Sequence, residues 1–227
     1  MRHVLLLTAF FLAAAGLPAQ VLPTTHSVTG TGSATLTAAP DQVQIDVGVV
    51  TQGTTAQDAA QQNATLATAV SNALKSVLGT AGTIQTTSYS VSPRYNNPAP
   101  GQNPSIIGYS ATNMLQVTSG DISLAGKLID TANQAGANSV GGLTFSLRDP
   151  EPLKQQALTQ AAKQALAHAA AIAAGLNAKT GAVFSATEGS FVTPVYGGPT
   201  GVGATTPILT GTVRVDANVT VNVELVQ

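Results

Sequence analysis

Val213-Arg214-Val215-Asp216-Ala217-Asn218-Val219-Thr220-Val221-Asn222-Val223-Glu224-Leu225 is the most regular stretch of this 227-residue chain. Its apolar residues alternate strictly with polar ones, which is the period-two pattern of an antiparallel β-strand with one buried and one solvent-facing side. We therefore predict a long strand near the carboxyl end of the chain and a sheet to which that strand belongs.

The rest of the chain mixes helical spacing with further alternating runs. Thr54-Thr55 can cap a helix that Gly79 ends, and residues 83–91 and 107–117 form a predicted hairpin. The predicted elements in order are strand 43–49, helix 56–78, strands 83–91 and 107–117, helix 122–135, strand 143–147, helix 151–174, and strands 182–186 and 213–225. Residues 21–38 are predicted as an arm or edge strand, and residues 92–105 and 189–211 as loops.

This order predicts an α+β fold with a mainly antiparallel sheet and three helices packed on one face. The first six elements match the split β-α-β-β-α-β arrangement of ferredoxin-like folds. A long helix and the C-terminal strand follow that core. Residues 20–227 are predicted to form a single domain with the two loops named above.

The first residues have the layout of a secretory signal peptide. Met1-Arg2-His3 is basic, residues 4–17 are almost entirely apolar, and small residues follow. A membrane-spanning helix needs about twenty apolar residues, so cleavage is favoured over a retained anchor. We predict a signal peptide at residues 1–19, with a cut after Ala19 or, as the alternative, after Gly16. The mature chain is then expected in the periplasm or outside the cell, without a membrane span.

Charge is scarce in this chain. Only 8% of the residues are charged, the formal net charge is −1 and cysteine is absent. Nucleic acid is therefore an unfavourable partner, since its recognition depends on clustered basic residues. Stability must come from burial without disulfides. A weakly charged surface also tolerates self-association.

Catalytic groups do not converge in the sequence. The mature chain has two histidines, His26 and His168, which lie far apart and are interpreted as surface residues rather than metal ligands. Asp149 and Glu151 could suggest a glycosidase pair, but their place at a helix start explains them. Many serines are present without a Gly-x-Ser-x-Gly elbow. We predict no catalytic, cofactor-binding or metal-binding residues and no enzymatic activity.

Several other residues stand in patterns that can indicate a site. Thr29-Gly30-Thr31-Gly32 looks like half of a phosphate-binding loop but is better explained as a tight strand entry. Asn63 and Asn218 begin glycosylation sequons that are interpreted as accidental. Asn113 falls on the apolar face of its strand, where we expect its amide to bond to backbone or another side chain. Tyr89, Tyr95 and Tyr109 cluster at the hairpin, where ordinary packing is favoured over a binding patch.

A set of short motifs resembles the SIMPL-domain family, also called DUF541, of bacterial envelope proteins. In chain order they are Gly30-Thr31-Gly32, Pro40-Asp41, Ile107-Gly108-Tyr109-Ser110-Ala111-Thr112-Asn113, Ala135-Gly136-Ala137-Asn138, Phe145-Ser146-Leu147-Arg148-Asp149-Pro150, Ala173-Ala174-Gly175-Leu176, Thr206-Pro207-Ile208 and the 213–225 strand. Together they cover nearly the whole mature chain. The chain departs from typical members in having less charge and more Thr, Gln and Ala.

The resemblance implies an envelope protein without established catalytic residues. The family includes periplasmic immunogenic proteins and proteins linked to oxidative-stress defence, and some relatives assemble into large hollow rings. Our leading hypothesis is a non-enzymatic oligomeric scaffold or interaction module whose partner is itself or an unidentified envelope protein. The alternative is a periplasmic small-molecule-binding protein with its site near the Tyr-bearing hairpin and residues 189–211. The sequence assigns no ligand-binding residues.

Overall fold

The computed structural model describes residues 26–80, 82–98, 100–195, 208 and 210–227. Within them, a 3-10 turn at Ile122–Leu124 precedes the second helix. The elements in chain order are β1 (Ser27–Ala38), β2 (Gln42–Gly53), α1 (Ala56–Leu78), β3 (Gly82–Tyr95), β4 (Ile106–Ser119), α2 (Ala125–Gln134), β5 (Ser139–Ser146), α3 (Glu151–Gly175), β6 (Lys179–Val195) and β7 (Thr212–Val226). The predicted signal peptide, residues 1–19, lies outside the described residues.

The strands form two antiparallel sheets, and the α+β class predicted from the sequence is confirmed. One sheet has the order β3-β4-β2-β5 and the other has the order β1-β7-β6. The sequence suggested one sheet with all three helices on it, which the structure corrects. Alternation shows which side of a strand is buried but not which strand is its partner. The pairing of β1 with β7 could therefore not be predicted from the pattern of either segment.

The four-stranded sheet has the ferredoxin-like arrangement that the sequence predicted. β2 pairs antiparallel with both β4 and β5, and β4 pairs antiparallel with β3. Helix α1 therefore joins two strands, β2 and β3, that run in the same direction with β4 between them. Large aliphatic side chains from α1 and α2, such as Leu74 and Leu128, are fully buried against this sheet.

Helix α1 begins and ends where its capping residues predict. The Thr55 hydroxyl accepts a hydrogen bond from the Asp58 N–H (3.1 Å), and Gly79 adopts φ 54° after the last turn. The hydroxyls of Thr55 and Thr54 also bond to the Asp58 side chain, which lowers the pKa of that carboxyl. These contacts are local, so the sequence pattern was sufficient to place this helix.

The three-stranded sheet is covered by α3, which approaches it through very small residues. The buried positions of the helix are alanines at every fourth residue, namely Ala157, Ala161, Ala165, Ala169 and Ala173. A Cβ added to Gly30 would lie 2.1 Å from the carbonyl oxygen of Ala165, and one on Gly32 would lie 2.1 Å from that of Ala161. The Gly-x-Gly pair therefore serves close packing of helix and strand rather than phosphate binding.

Two strands extend into the segments predicted as loops. β3 continues through residues 92–95, so the predicted loop 92–105 is wrong over that part. β6 extends from Lys179 to Val195 where a short strand at 182–186 was predicted, so residues 189–195 are strand rather than loop. Gly and Pro content favours loops, but β6 lies at a sheet edge, where Pro194 is tolerated. Residues 196–207 and 209 lie outside the described residues.

Candidate functional site

The two edges of the three-stranded sheet differ in how their backbone groups are satisfied. Along the free edge of β1, the Ser33 N–H donates to Gln164 Oε1 (2.6 Å) and the Thr31 carbonyl oxygen lies 2.6 Å from His168 Nδ1. Because a carbonyl can only accept, His168 carries its proton on Nδ1. Gln164 and His168 are four residues apart on α3, so two side chains on one face of this helix close the middle of the β1 edge, at Thr31 and Ser33.

The opposite edge of the sheet is formed by β6 and is open. β6 is 17 residues long and pairs with β7 alone among the described strands. Glu188 is the only charged residue from Thr180 to Val195. Phe184 and Phe191 are 47% and 66% exposed. A long edge strand with little charge is a template for pairing with another chain.

The open edge is regular over most of its length. Shifts of register against β7 occur near the start of β6, on either side of Val183. From Ser185 to Val195 the strand follows β7 residue by residue, and Pro194 stands at its end. Bulges and proline are common protections of an edge, and here both lie near the ends of the strand. The central part of β6 is left without such protection.

The apolar face beneath α3 also extends past the helix onto β6. Val192 pairs with Val215 and Val183 pairs with Val223 across the same sheet. The β7 residues of these pairs are buried at 0% and 1% exposure, whereas Val192 and Val183 are 37% and 52% exposed. The helix therefore covers β7 but leaves the adjoining β6 valines in solvent. These two exposed valines lie on either side of Glu188, which shares their face opposite Val219, and together with the open edge they form a ledge that can receive another chain.

The Tyr-bearing hairpin forms a second exposed region. Tyr89 and Tyr95 are 53% and 55% exposed, and Tyr109 is half-buried. Tyr89 pairs with Asn113 and Tyr109 with Pro93, so the hairpin brings the tyrosines onto adjacent strands without placing them opposite each other. The hairpin and β6 lie in different sheets. The small-molecule site suggested from both regions therefore stays a prediction, and part of it lies outside the described residues.

Buried amides join α1 to the four-stranded sheet. Asn63 is fully buried, and its Nδ2 donates to the carbonyl oxygens of Val49 (2.7 Å) and Ala111 (3.0 Å). The sequence placed Asn63 at helical spacing among apolar residues and in an accidental sequon, but its hydrogen bonds to the sheet were not predicted. The prediction that the Asn113 amide is bonded is wrong for its Oδ1, which is buried without a hydrogen-bond partner among the described residues.

The remaining candidate residues have local structural roles. Asp149 Oδ1 accepts from the Glu151 N–H (3.0 Å), and Glu151 forms an ion pair with Lys154 (2.6 Å). These contacts support the helix-start interpretation, and Pro150 between the two acids is the N-cap residue of α3. The His26 carbonyl accepts from the Leu225 N–H. No group of three His, Asp or Glu residues that could hold a metal occurs in the part of the chain the structure describes.

Comparisons with known proteins place these features in a family. A family model described as SIMPL, protein of unknown function (DUF541), matches residues 28–223. The chain is similar to the 26 kDa periplasmic immunogenic proteins of Brucella melitensis and Brucella abortus, each 28% identical over 188 residues. These matches cover 82% of this chain and 75% of each relative. The expected periplasmic localisation is thereby confirmed. None of the described helices is long and apolar enough to cross a bilayer.

Proposed function

We propose that this chain, which belongs to the SIMPL (DUF541) family, is a non-enzymatic periplasmic interaction module that self-associates through β6. The observation that carries the proposal is the contrast between the two edges of one sheet. The β1 edge is closed by Gln164 and His168, while the β6 edge is open and adjoins exposed valines. A second copy of β6 would satisfy the open backbone groups and cover those valines.

A two-fold arrangement suits the residues of β6. If two copies pair antiparallel about Gly189, Glu188 of one copy lies opposite Ser190 of the other, which avoids direct contact of like charges. Val192 then faces Ala186 of the second copy. The same patch serves both copies, as the symmetry of most homodimers requires. Pairing in this way produces a continuous six-stranded sheet.

The closed edges determine where this assembly stops. The six-stranded sheet would begin and end with β1, whose edge is occupied by the side chains of α3. Strand addition therefore ends at two copies instead of continuing into a filament. Larger assemblies, as implied for some relatives, would need a surface other than the two edges of this sheet.

Light scattering during size-exclusion chromatography of residues 20–227 tests the proposal. We expect a discrete mass of two copies or a multiple of two. The double substitution Val183→Lys with Val192→Lys introduces charge on the β6 ledge and is expected to halve the mass. Ile106→Lys with Ile107→Lys is a matched control, because those residues are exposed to a similar degree on the hairpin.

A monomeric parent protein would refute self-association. A parent dimer that survives the β6 substitutions and dissociates with the hairpin substitutions would refute the β6 interface. Circular dichroism of each variant shows whether the fold is retained, so that a mass change is not confused with unfolding.

The resemblance also implies a role in envelope or oxidative-stress defence. The chain has no cysteine, so such a role would not use thiol chemistry. An interaction module would instead act by holding other envelope components. Peroxide sensitivity of cells carrying the β6 variant, compared with cells carrying the hairpin control, tests whether the role depends on assembly. If cells carrying either variant resist peroxide as well as cells carrying the parent protein, the role in stress defence does not depend on assembly.

A further inference from the structure

The face of the three-stranded sheet turned away from α3 carries an ordered array of neutral polar groups. Strand register aligns these side chains in rows across β1, β7 and β6. Successive rows are Thr29–Asn222–Ser185, Thr31–Thr220–Thr187 and Ser33–Asn218–Gly189. Hydroxyls and amides both donate and accept hydrogen bonds. These three rows contain no charged residue, so they suit a ligand that is polar but neutral.

A cavity of about 350 Å³ opens at the β1 edge, where Gln164 and His168 of α3 reach two of these rows. Its lining includes Thr31, Ser33, Asn218, Thr220 and the two helix residues that close the β1 edge. Gln164 uses Oε1 and His168 uses Nδ1 for the strand. The amide nitrogen of Gln164 and Nε2 of His168 make no hydrogen bond among the described residues. The cavity thus adds two polar groups to the array, in a volume typical of small-molecule sites.

The next row of the same face contains an aromatic ring and a carboxylate that forms an ion pair with Arg214. Phe191 pairs with Asp216 across β6 and β7, and its ring is 66% exposed. Asp216 accepts from the Thr35 hydroxyl (2.6 Å) and from Arg214 Nε (2.7 Å), which lowers the pKa of its carboxyl. A flat aromatic ring beside hydroxyl and amide groups suits the apolar face of a sugar ring.

We propose that this face and its cavity bind a neutral glycan chain, a function separate from self-association through the β6 edge. Adjacent residues on one side of a strand are about 6.6 Å apart, so the rows from Thr29 to Thr35 extend over about 20 Å. This length exceeds one sugar ring and favours a chain over a single sugar. The amides of Asn218 and Gln164 suit acetamido groups, because two amides can exchange donor and acceptor. Glycan strands with such groups occur in the periplasm, where this protein resides.

Titration calorimetry with tri-N-acetylchitotriose tests the proposal on residues 20–227. We expect saturable binding in the millimolar range or tighter that does not change with added salt, since no charge pairing is involved. Thr220→Val combined with Asn218→Ala removes polar groups without disturbing buried residues and is expected to weaken binding at least about tenfold, or 1.4 kcal/mol. Thr83→Val, an exposed strand residue of the other sheet, is the matched control and should bind like the parent.

Three outcomes would overturn the proposal. They are no heat of binding at millimolar trisaccharide, equal binding by the Thr220/Asn218 variant, and equal affinity for the monosaccharide N-acetylglucosamine. The last outcome would show a single-sugar pocket instead of an extended glycan surface. The β6 ledge variant should keep its glycan affinity, which separates this test from that of self-association.

Discussion

The two sheets of this protein are each covered by helices, and the side chains that these helices bury are large over one sheet and small over the other. Over the four-stranded sheet, α1 and α2 bury large aliphatic residues such as Leu74 and Leu128. Over the three-stranded sheet, α3 buries alanines against the backbone of Gly30 and Gly32. Large side chains hold a helix at a distance and fill the space beneath it, whereas alanines let it lie on the strand itself.

The difference shows how closely packing and edge protection are connected. Only because α3 lies so near β1 can the side chains of Gln164 and His168 reach its backbone edge. The same close approach over β1 and β7 leaves the apolar residues of β6 uncovered. The side chains of a helix held further away would not reach the β1 edge. The change from the buried Val215 to the exposed Val192 on the neighbouring strand would also be less abrupt.

The largest effect is expected from truncating the aliphatic layer. Leu74→Ala leaves a cavity at a fully buried position and should lower the free energy of unfolding by about 3 kcal/mol. Ala165→Gly, at a fully buried position of the other layer, removes a single methyl group and should cost about 1 kcal/mol. Urea denaturation measures both. Equal losses would contradict the view that the two layers derive their stability from different amounts of side-chain burial.

Adding a methyl group to a glycine beneath α3 should destabilise the layer in which the helix buries alanines. Gly32→Ala places a Cβ 2.1 Å from the Ala161 carbonyl oxygen, so strand and helix must separate, at a cost of about 2 kcal/mol. Gly141→Ala is the matched control in β5, since no atom outside its neighbours lies within 4 Å of an added Cβ. We expect that control to stay within about 0.5 kcal/mol of the parent in urea denaturation. A Gly32→Ala protein of parental stability would show that the layer is loosely packed.

A modest change in stability, with a clear change in assembly, is expected from opening the β1 edge. Gln164→Ala with His168→Ala removes two hydrogen bonds and should cost about 1–2 kcal/mol. Both edges of the sheet are then available for pairing, so light scattering should show masses above that of the parent. Gln160→Ala, an exposed residue of the same helix, is the control. An unchanged mass distribution for the double variant would refute the closing role of these side chains.

Features that depend on neighbouring residues could be predicted from the sequence. The helix cap at Thr55 and the stop at Gly79 follow from local rules and were confirmed. The strand order around α1 was predicted from the β-α-β-β-α-β succession of elements and was also confirmed. The true length of β6 was missed because Gly189 and Pro194 favour a loop when pairing with β7 is not known. Asn63 was missed as a buried hydrogen-bonding residue because its acceptors, Val49 and Ala111, come from two different strands.

The sequence by itself determined the α+β class, the alternation of buried and exposed residues in 213–225, and the family of the chain, because each is recorded in consecutive residues. Only the tertiary structure decided that β1 pairs with β7 and that Gln164 and His168 reach Thr31 and Ser33. The partners in these contacts are separated by more than a hundred residues. These contacts depend on the register of the sheet and on the distance between α3 and the sheet. The residue pattern of a single strand or helix specifies neither the register nor that distance.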